Sequence, residues 1–315
     1  LQTDAFLVMD IKGNVLISRG RTHELVDLHS LKKIFLNGLY GYLYDHQLVD
    51  LDSNLGDWEI QEEGHPLTQS ELKATILDLL KSRFGVYLEP IREMKYYSSR
   101  RPARGSDLPG ENWHYNNWGF DTLARIHEKI AGEGISTSLE KRIMGPLSID
   151  RVNRYYEVKR EGFLYSSFGL KMSALEIAQY GRALLGVQFE GKRLLSQRWI
   201  ELSTQTYTDL GSLGGFGLLW WTSPEGRHFG ETLFSEPIYS GWGYGGQHLI
   251  IFPKSQIVIV HLAQVSFGDD LAGVSYSDMA EICRLFLDAR LTWVERILWS
   301  MKPIWQGWLP TEEIY

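Results

Sequence analysis

The spacing of apolar positions changes twice along the chain. Ala5–Met9 and Val15–Ile17 are short apolar runs on either side of Gly13-Asn14, a turn pair that predicts a β-hairpin. From Ser30 to His46 the period lengthens. Leu31, Ile34, Phe35, Leu39 and Leu43 recur at three- and four-residue spacing, which predicts one long helix. Asp50–Gly56 reads as loop. Thr68 followed by Glu71 is a capping-box pattern, expected to open a helix over Glu71–Leu80. Phe120–Ile130 and Ala174–Leu185 are two more amphipathic stretches, and Tyr97–Gly110, rich in Arg, Ser, Pro and Gly, reads as a surface loop bordering a cleft. Further on the short period returns. Phe216–Thr222, Ile238–Gly243, His248–Phe252 and Ile257–Val265 read as strands, and Tyr276–Leu287 as a helix with Tyr276, Met279, Ile282, Cys283 and Phe286 on one face.

Strands, helices, strands and a helix, in that order, predict an α/β (α+β) fold: an antiparallel sheet flanked by helices, its first strands drawn from the N-terminus. The expected division is a discontinuous sheet domain, residues 1–50 and 205–315, and a helical insertion over 51–204, with the site in the cleft between them. The tail from Leu291 to Tyr315 carries Trp293, Trp299, Trp305 and Trp308; it reads as a docked helix or as a surface for a partner or membrane.

Composition narrows the function classes. Hydrophobic residues make up 43 % and charged residues 23 %, as in an ordinary globular protein. With net charge −7 and no basic tract, nucleic acid is not an expected partner. One cysteine, Cys283, excludes an internal disulfide. No apolar run reaches the ~18 residues of a membrane span. The expected location is cytoplasmic; a processed end at Leu1 would make it periplasmic or secreted.

Three Ser-x-x-Lys pairs occur: Ser30/Lys33, Ser70/Lys73 and Ser138/Lys141. Three residues is nearly one helical turn, so each pair sets an amine beside a hydroxyl. Ser70 and Ser138 stand in capping or charged surroundings. Ser30 opens the longest apolar helix, where backbone N–H groups surround a helix N-terminus. At ~100° per residue Lys32 is expected on the far side of that helix, which leaves Lys33 as the partner. Taken alone, Ser30 reads better as an N-cap near surface lysines. Tyr115-Asn116-Asn117, the one Tyr-x-Asn of the sequence, adds a phenol expected to shuttle protons, its pKa lowered by a nearby cation. Asn117 would hold a substrate carbonyl or the lysine. The lesser alternative for that segment is an aromatic loop packing on itself. Ser240-Gly241-Trp242-Gly243-Tyr244-Gly245-Gly246-Gln247 is a glycine-rich strand; such glycines mark a turn or a close approach of backbone to ligand, and the strand would offer a main-chain oxyanion donor.

These three elements, in this order, resemble the class C β-lactamase-like serine hydrolases, a group that includes penicillin-binding DD-peptidases, family VIII esterases and 6-aminohexanoate-dimer hydrolase. The resemblance runs from about Asp4 to Arg290 and is carried by His29–Lys33, Gln47–Asp52, Arg101–Ser106, Tyr115–Gly119 and Gly243–Gln247. The dimer-hydrolase and esterase branch looks nearest. The resemblance implies a β-lactamase/transpeptidase-like fold with Ser30 as nucleophile, Lys33 and Tyr115 moving its proton, and the Ser30 and Tyr244 N–H groups as oxyanion hole. Asn117, Trp242 and Gly243 would bind substrate.

One departure bears on the substrate. True β-lactamases of the group carry Lys-Thr-Gly where Gly241-Trp242-Gly243 stands here, so the cation for a substrate carboxylate is absent from this strand. Trp242 makes that wall aromatic and favours esters or amides without the carboxylate. Gly-x-Ser-x-Gly, His-Glu-x-x-His and nucleotide-binding glycine motifs are absent, so an α/β-hydrolase site, zinc and other cofactors are not expected. His29 and His114 read as packed or solvated side chains near the site. The expected activity is acyl transfer from a small-molecule ester or amide through a Ser30 acyl-enzyme, to water or, in an amide-forming transacylase, to an amine. A non-catalytic binding protein on the same fold is the alternative of another class.

Overall fold

A computed structural model describes residues 3–290 apart from 63, 151–153, 231 and 267–273. The tryptophan-rich tail therefore lies outside the described residues. In chain order the strands are β1 (Ala5–Asp10), β2 (Val15–Gly20), β3 (Val26–Asp27), β4 (Tyr155–Val158), β5 (Ser167–Met172), β6 (Gln188–Phe189), β7 (Lys192–Arg193), β8 (Thr208–Asp209), β9 (Gly215–Phe216), β10 (Trp221–Thr222), β11 (Tyr239–Gly243), β12 (Gln247–Phe252) and β13 (Ile257–Leu262). The helices are α1 (Lys33–Asp45), α2 (Ile76–Leu80), α3 (Lys95–Ser98), α4 (Asn117–Ala131), α5 (Ile135–Leu139), α6 (Ala174–Leu184), α7 (Gln197–Thr204) and α8 (Tyr276–Arg290).

Eight strands form the main sheet in the order β2-β1-β13-β12-β11-β10-β9-β8, every pairing antiparallel. The N-terminal hairpin thus joins the C-terminal strands edge to edge, with Ala5 opposite Leu262 and Asp10 opposite Ile257. β12 and β13 are buried at every position, as expected of central strands covered on both faces. α6 packs on β1, β12 and β13, although its position in the chain falls within 51–204. A second antiparallel sheet, β3-β5-β4, lies beside the start of α1, and β6 and β7 form a separate two-stranded ladder.

α1 is buried nearly throughout, from Lys33 to Leu43, and packs against α4, α5 and α7. A helix apolar on all sides must be enclosed, and its one buried amide bonds through both its nitrogen and its oxygen. Asn37 Nδ2 donates to the Leu218 carbonyl at 2.8 Å, while its Oδ1 accepts from the indoles of Trp199 and Trp220 at 3.3 and 3.1 Å.

Several boundaries differ from the sequence reading. The helix expected from Ser30 starts as a 3₁₀ turn, His29–Lys32, before α1 proper. His29 has φ 47°, a left-handed conformation that kinks the chain from β3 into the turn. Thr68 and Glu71 do make the reciprocal capping bonds, but these open only a 3₁₀ turn. A second capping box, Thr75 with Asp78, starts α2. Phe216–Thr222 is two short strands rather than one, because Leu219 adopts φ 65° and folds the segment back on itself.

Candidate active site

The start of α1, the loop before α4 and the strand β11 converge on one cavity of about 750 Å³. Its lining includes Ser30, Lys33, Tyr115, Asn117, Trp242, Gly243 and Tyr244. The other two Ser-x-x-Lys pairs lie elsewhere. Lys141 pairs with Glu133 at 2.6 Å on the surface, and Ser138 bonds that same carboxylate.

Ser30 is the second residue of the 3₁₀ turn. The first backbone bond of that turn runs from the Leu31 N–H to the Leu28 carbonyl, so the Ser30 N–H lies ahead of the ladder. Lys33 Nζ stands 2.8 Å from Ser30 Oγ and 2.7 Å from the Tyr115 hydroxyl, hydrogen-bond distance from both. The amine also lies 4.7 Å from the centre of the Phe120 ring. Lys33 is 6 % exposed. Burial pulls its pKa down from 10.5 to about 7, opposed by the charge of Asp121, so the amine loses its proton near neutrality.

Tyr115 behaves differently from the expectation. Its pKa is pushed up by burial, and only the bond with Ser30 works the other way. With Lys33 largely neutral above pH 7, little positive charge remains to favour a phenolate. Tyr115 is therefore a protonated phenol, able to accept from Lys33 while keeping its own proton to donate. Trp221 and Tyr97 stack on its two sides, with ring centres 6.4 and 5.1 Å away.

Asn117 opens α4, one residue after the N-cap Asn116, whose side chain accepts from the Trp118 N–H. The Asn117 amide donates to the Arg92 carbonyl at 2.7 Å, and no hydrogen bond to Lys33 accompanies it. The amide thus ties the start of α4 to the loop along the cavity rim.

The glycines of β11 serve close approach. A Cβ on Gly243 would sit 2.4 Å from the Leu28 carbonyl oxygen and 3.0 Å from the Leu31 nitrogen. On Gly241 it would sit 2.6 Å from Ile34 and Leu31 side-chain carbons. Only a bare backbone lets β11 lie against the turn that carries Ser30. Gly243 opposite Gln247 is the last pair of the β11–β12 ladder, which leaves Tyr244 just beyond it at the cavity edge.

Trp242 lines the cavity, but both its faces are covered: Trp221 stacks on it at 4.0 Å and 8°, and Phe229 at 5.2 Å and 20°. Its indole Nε1 donates to Ser240 Oγ at 2.6 Å. His228 completes this support. The Thr222 carbonyl can only accept, so His228 Nδ1 carries the proton, and Nε2, at 2.8 Å, accepts from Ser240 Oγ. Burial lowers the His228 pKa to about 3, so the ring stays neutral and the serine–histidine pair acts as a prop for the aromatic wall.

Lys32 is the main surprise. Expected on the far side of the helix, it lines the same cavity. Its ammonium donates to the Phe168 carbonyl and to Ser167 Oγ, at 3.3 Å for the latter. A 3₁₀ turn places residues about 120° apart rather than 100°, which accounts for part of the difference. The rest comes from β5, whose carbonyl captures the amine. Ser167 in turn donates to Asp121 Oδ1 at 2.7 Å. Among the described residues no cluster of His, Cys, Asp and Glu is suited to a metal ion, and no helix is long and apolar enough to cross a membrane.

The beta-lactamase family's sequence model matches residues 6–281. The chain belongs to the beta-lactamase family. A search of the curated proteins finds no match. Among solved structures, this beta-lactamase-family chain is similar to the octameric penicillin-binding protein homologue from Pyrococcus abyssi, with TM-score 0.65 and 18 % identity over 90 % of this chain and 72 % of that one. It is also similar to a putative 6-aminohexanoate-dimer hydrolase from Bacillus anthracis, with TM-score 0.64 and 22 % identity over 91 % of this chain and 79 % of that one. A class C beta-lactamase from Rhodobacter sphaeroides gives TM-score 0.62 and 16 % identity over 90 % and 95 %. At these identities the likeness establishes the β-lactamase-like fold, which agrees with the antiparallel sheet and its helices.

Proposed function

We propose that this beta-lactamase-family protein is a serine acyl-transfer enzyme that hydrolyses an ester or amide through an acyl-enzyme on Ser30, within the dimer-hydrolase and esterase branch. The observation that carries the reading is a single buried amine at hydrogen-bond distance from two hydroxyls, Ser30 and Tyr115. Lys33, neutral above about pH 7, takes the Ser30 proton as Oγ attacks the substrate carbonyl. The Oγ–C bond forms, and the oxyanion is met by the N–H groups of Ser30 and Tyr244. Such aimed donors are each worth ~3–4 kcal/mol. The C–O or C–N bond then breaks as Tyr115 gives its proton to the leaving group and regains one from Lys33. Water attacks the ester in the reverse sense. Asn117 and the edge of Trp242 frame the acyl group, and Gly243 keeps the strand close to Ser30. A cytoplasmic location is part of the same proposal, and buried, unpaired Cys283 fits a reducing compartment.

Intact-mass measurement after incubation with a panel of esters, amides and β-lactams tests this reading. We expect an adduct on Ser30 from esters or amides, with little from benzylpenicillin, since β11 lacks a cation for its carboxylate. Decay of the adduct in water identifies a hydrolase, and faster decay with added amines a transacylase. No adduct from any acyl donor would leave the fold as a binding scaffold.

A further inference from the structure

Two adjacent lysines share the cavity, and the groups around each differ in kind. Lys32 meets a backbone carbonyl, Phe168, and Ser167 Oγ, whose own proton is committed to Asp121. Both partners are acceptors, so Lys32 must supply the protons. The Phe168 ring lies 4.5 Å from the same ammonium. Lys33 meets only hydroxyls, Ser30 and Tyr115, which can donate as well as accept and so tolerate a neutral amine.

Asp121 stands four residues after Asn117 on α4, one turn along the same face. It is 4 % exposed, and its Oδ2 has no hydrogen-bond partner. Burial raises its pKa, opposed by Lys32, the Ser167 bond, Lys33 and Arg125, and as a carboxylate it acts through its field on those cations. It interacts with Lys32, Lys33 and Arg125, and the Tyr165 phenol faces it as well. Asp27 and Arg92 also act on Lys32, with opposite signs.

We propose that the Lys32–Ser167–Asp121 network positions the charge of the site: it favours the cation on Lys32 over one on Lys33, so that Lys33 is the amine free to take the proton of Ser30. Lys32 and Asp121 are positioning residues here, acting through Lys33 rather than on the substrate. The inference rests on the Ser30 acyl-enzyme reading and adds what selects one lysine of the two. The burial that strips protons acts on both amines, yet Lys32 retains its proton to about pH 8 and Lys33 only to about pH 7, the order that the partners dictate.

The test is the pH profile of kcat/KM with p-nitrophenyl butyrate, a neutral ester, for the wild type and three variants. Lys32→Met removes the neighbouring cation and leaves Asp121 facing Lys33 alone, so the acidic limb should move up by about one pH unit. Asp121→Asn removes the anion that favours charged Lys33, so the limb should move down. Lys32→Arg keeps the charge and should restore the limb to the wild-type position. Profiles that differ only in height, with every limb at the wild-type pH, would overturn the proposal and leave the network a structural brace. If Lys32→Met does not fold, the nearly isosteric Asp121→Asn decides by itself, for the proposal if its limb moves down and against it if not. Absence of a Ser30 adduct in the wild type at every pH would instead mark failure of the acyl-enzyme reading, and would take this inference with it.

Discussion

Replacing Lys33 with Met should stabilise the protein at neutral pH while abolishing its activity. The size of the effect follows from the amine's environment. Its pKa falls from 10.5 free in solution to about 7 in the fold. A folded pKa below the unfolded one means that the unfolded chain binds more protons between these values, so stability rises with pH from about 7 to about 10.5 and the full penalty applies below 7. At ~1.4 kcal/mol per pH unit the penalty is about 4 kcal/mol at pH 7 and about 1 kcal/mol at pH 10. Methionine has a similar length and packs well against aromatic rings such as Phe120. It removes the amine partner of the Ser30 and Tyr115 hydroxyls, at ~1 kcal/mol each. The net effect is a gain of about 2 kcal/mol at pH 7 and a loss of about 1 kcal/mol at pH 10, crossing zero near pH 9. Urea unfolding of both proteins at pH 6.5, 7.5 and 9.5 measures the difference directly. A stability difference that stays constant across this range would show that Lys33 is not held against its charge, and the account of it as a base would lose its physical footing.

Other expectations are narrower. Gly243→Ala drives a methyl group into the Leu28 carbonyl and should push β11 off the Ser30 turn, lowering kcat about 10²-fold or more and costing about 1–3 kcal/mol of stability. Tyr115→Phe removes the phenol 2.7 Å from Lys33 and should lower kcat by roughly 10²–10⁴, with Ser30 still slowly labelled by activated esters. Asn37→Ala strands two buried indole N–H groups and a carbonyl and opens a cavity in α1; a loss of about 3 kcal/mol in urea unfolding is expected, and a loss under 1 kcal/mol would contradict the hydrogen-bond assignment.

Much of this site was legible because its signals are local. The Ser30–Lys33 spacing, the unique Tyr-x-Asn and the glycines at 241 and 243 each express a backbone requirement that neighbouring residues reveal. What escaped depends on distant partners. Nothing near Lys32 announces the Phe168 carbonyl that captures it, and Ser167 is 46 residues from the carboxylate it bonds. Asp121 had a local signal: it follows Asn117 by one helical turn. For the Tyr115 phenol the nearby amine suggests charge, whereas enclosure by Tyr97, Trp221 and Phe120 decides for the neutral form. The split of 216–222 into two strands hangs on the backbone of Leu219, a residue whose type argues against a left-handed turn.

On the proposed mechanism Ser30 is a nucleophile activated by Lys33. Treating the protein with a fluorophosphonate and mapping the adduct by peptide mass spectrometry, across pH 5.5 to 9, addresses it directly. We expect one phosphonyl group on Ser30, formed at a rate that rises through about pH 7, and none on Ser30→Ala. No labelling at Ser30, or labelling whose rate ignores pH in this range, would contradict the account.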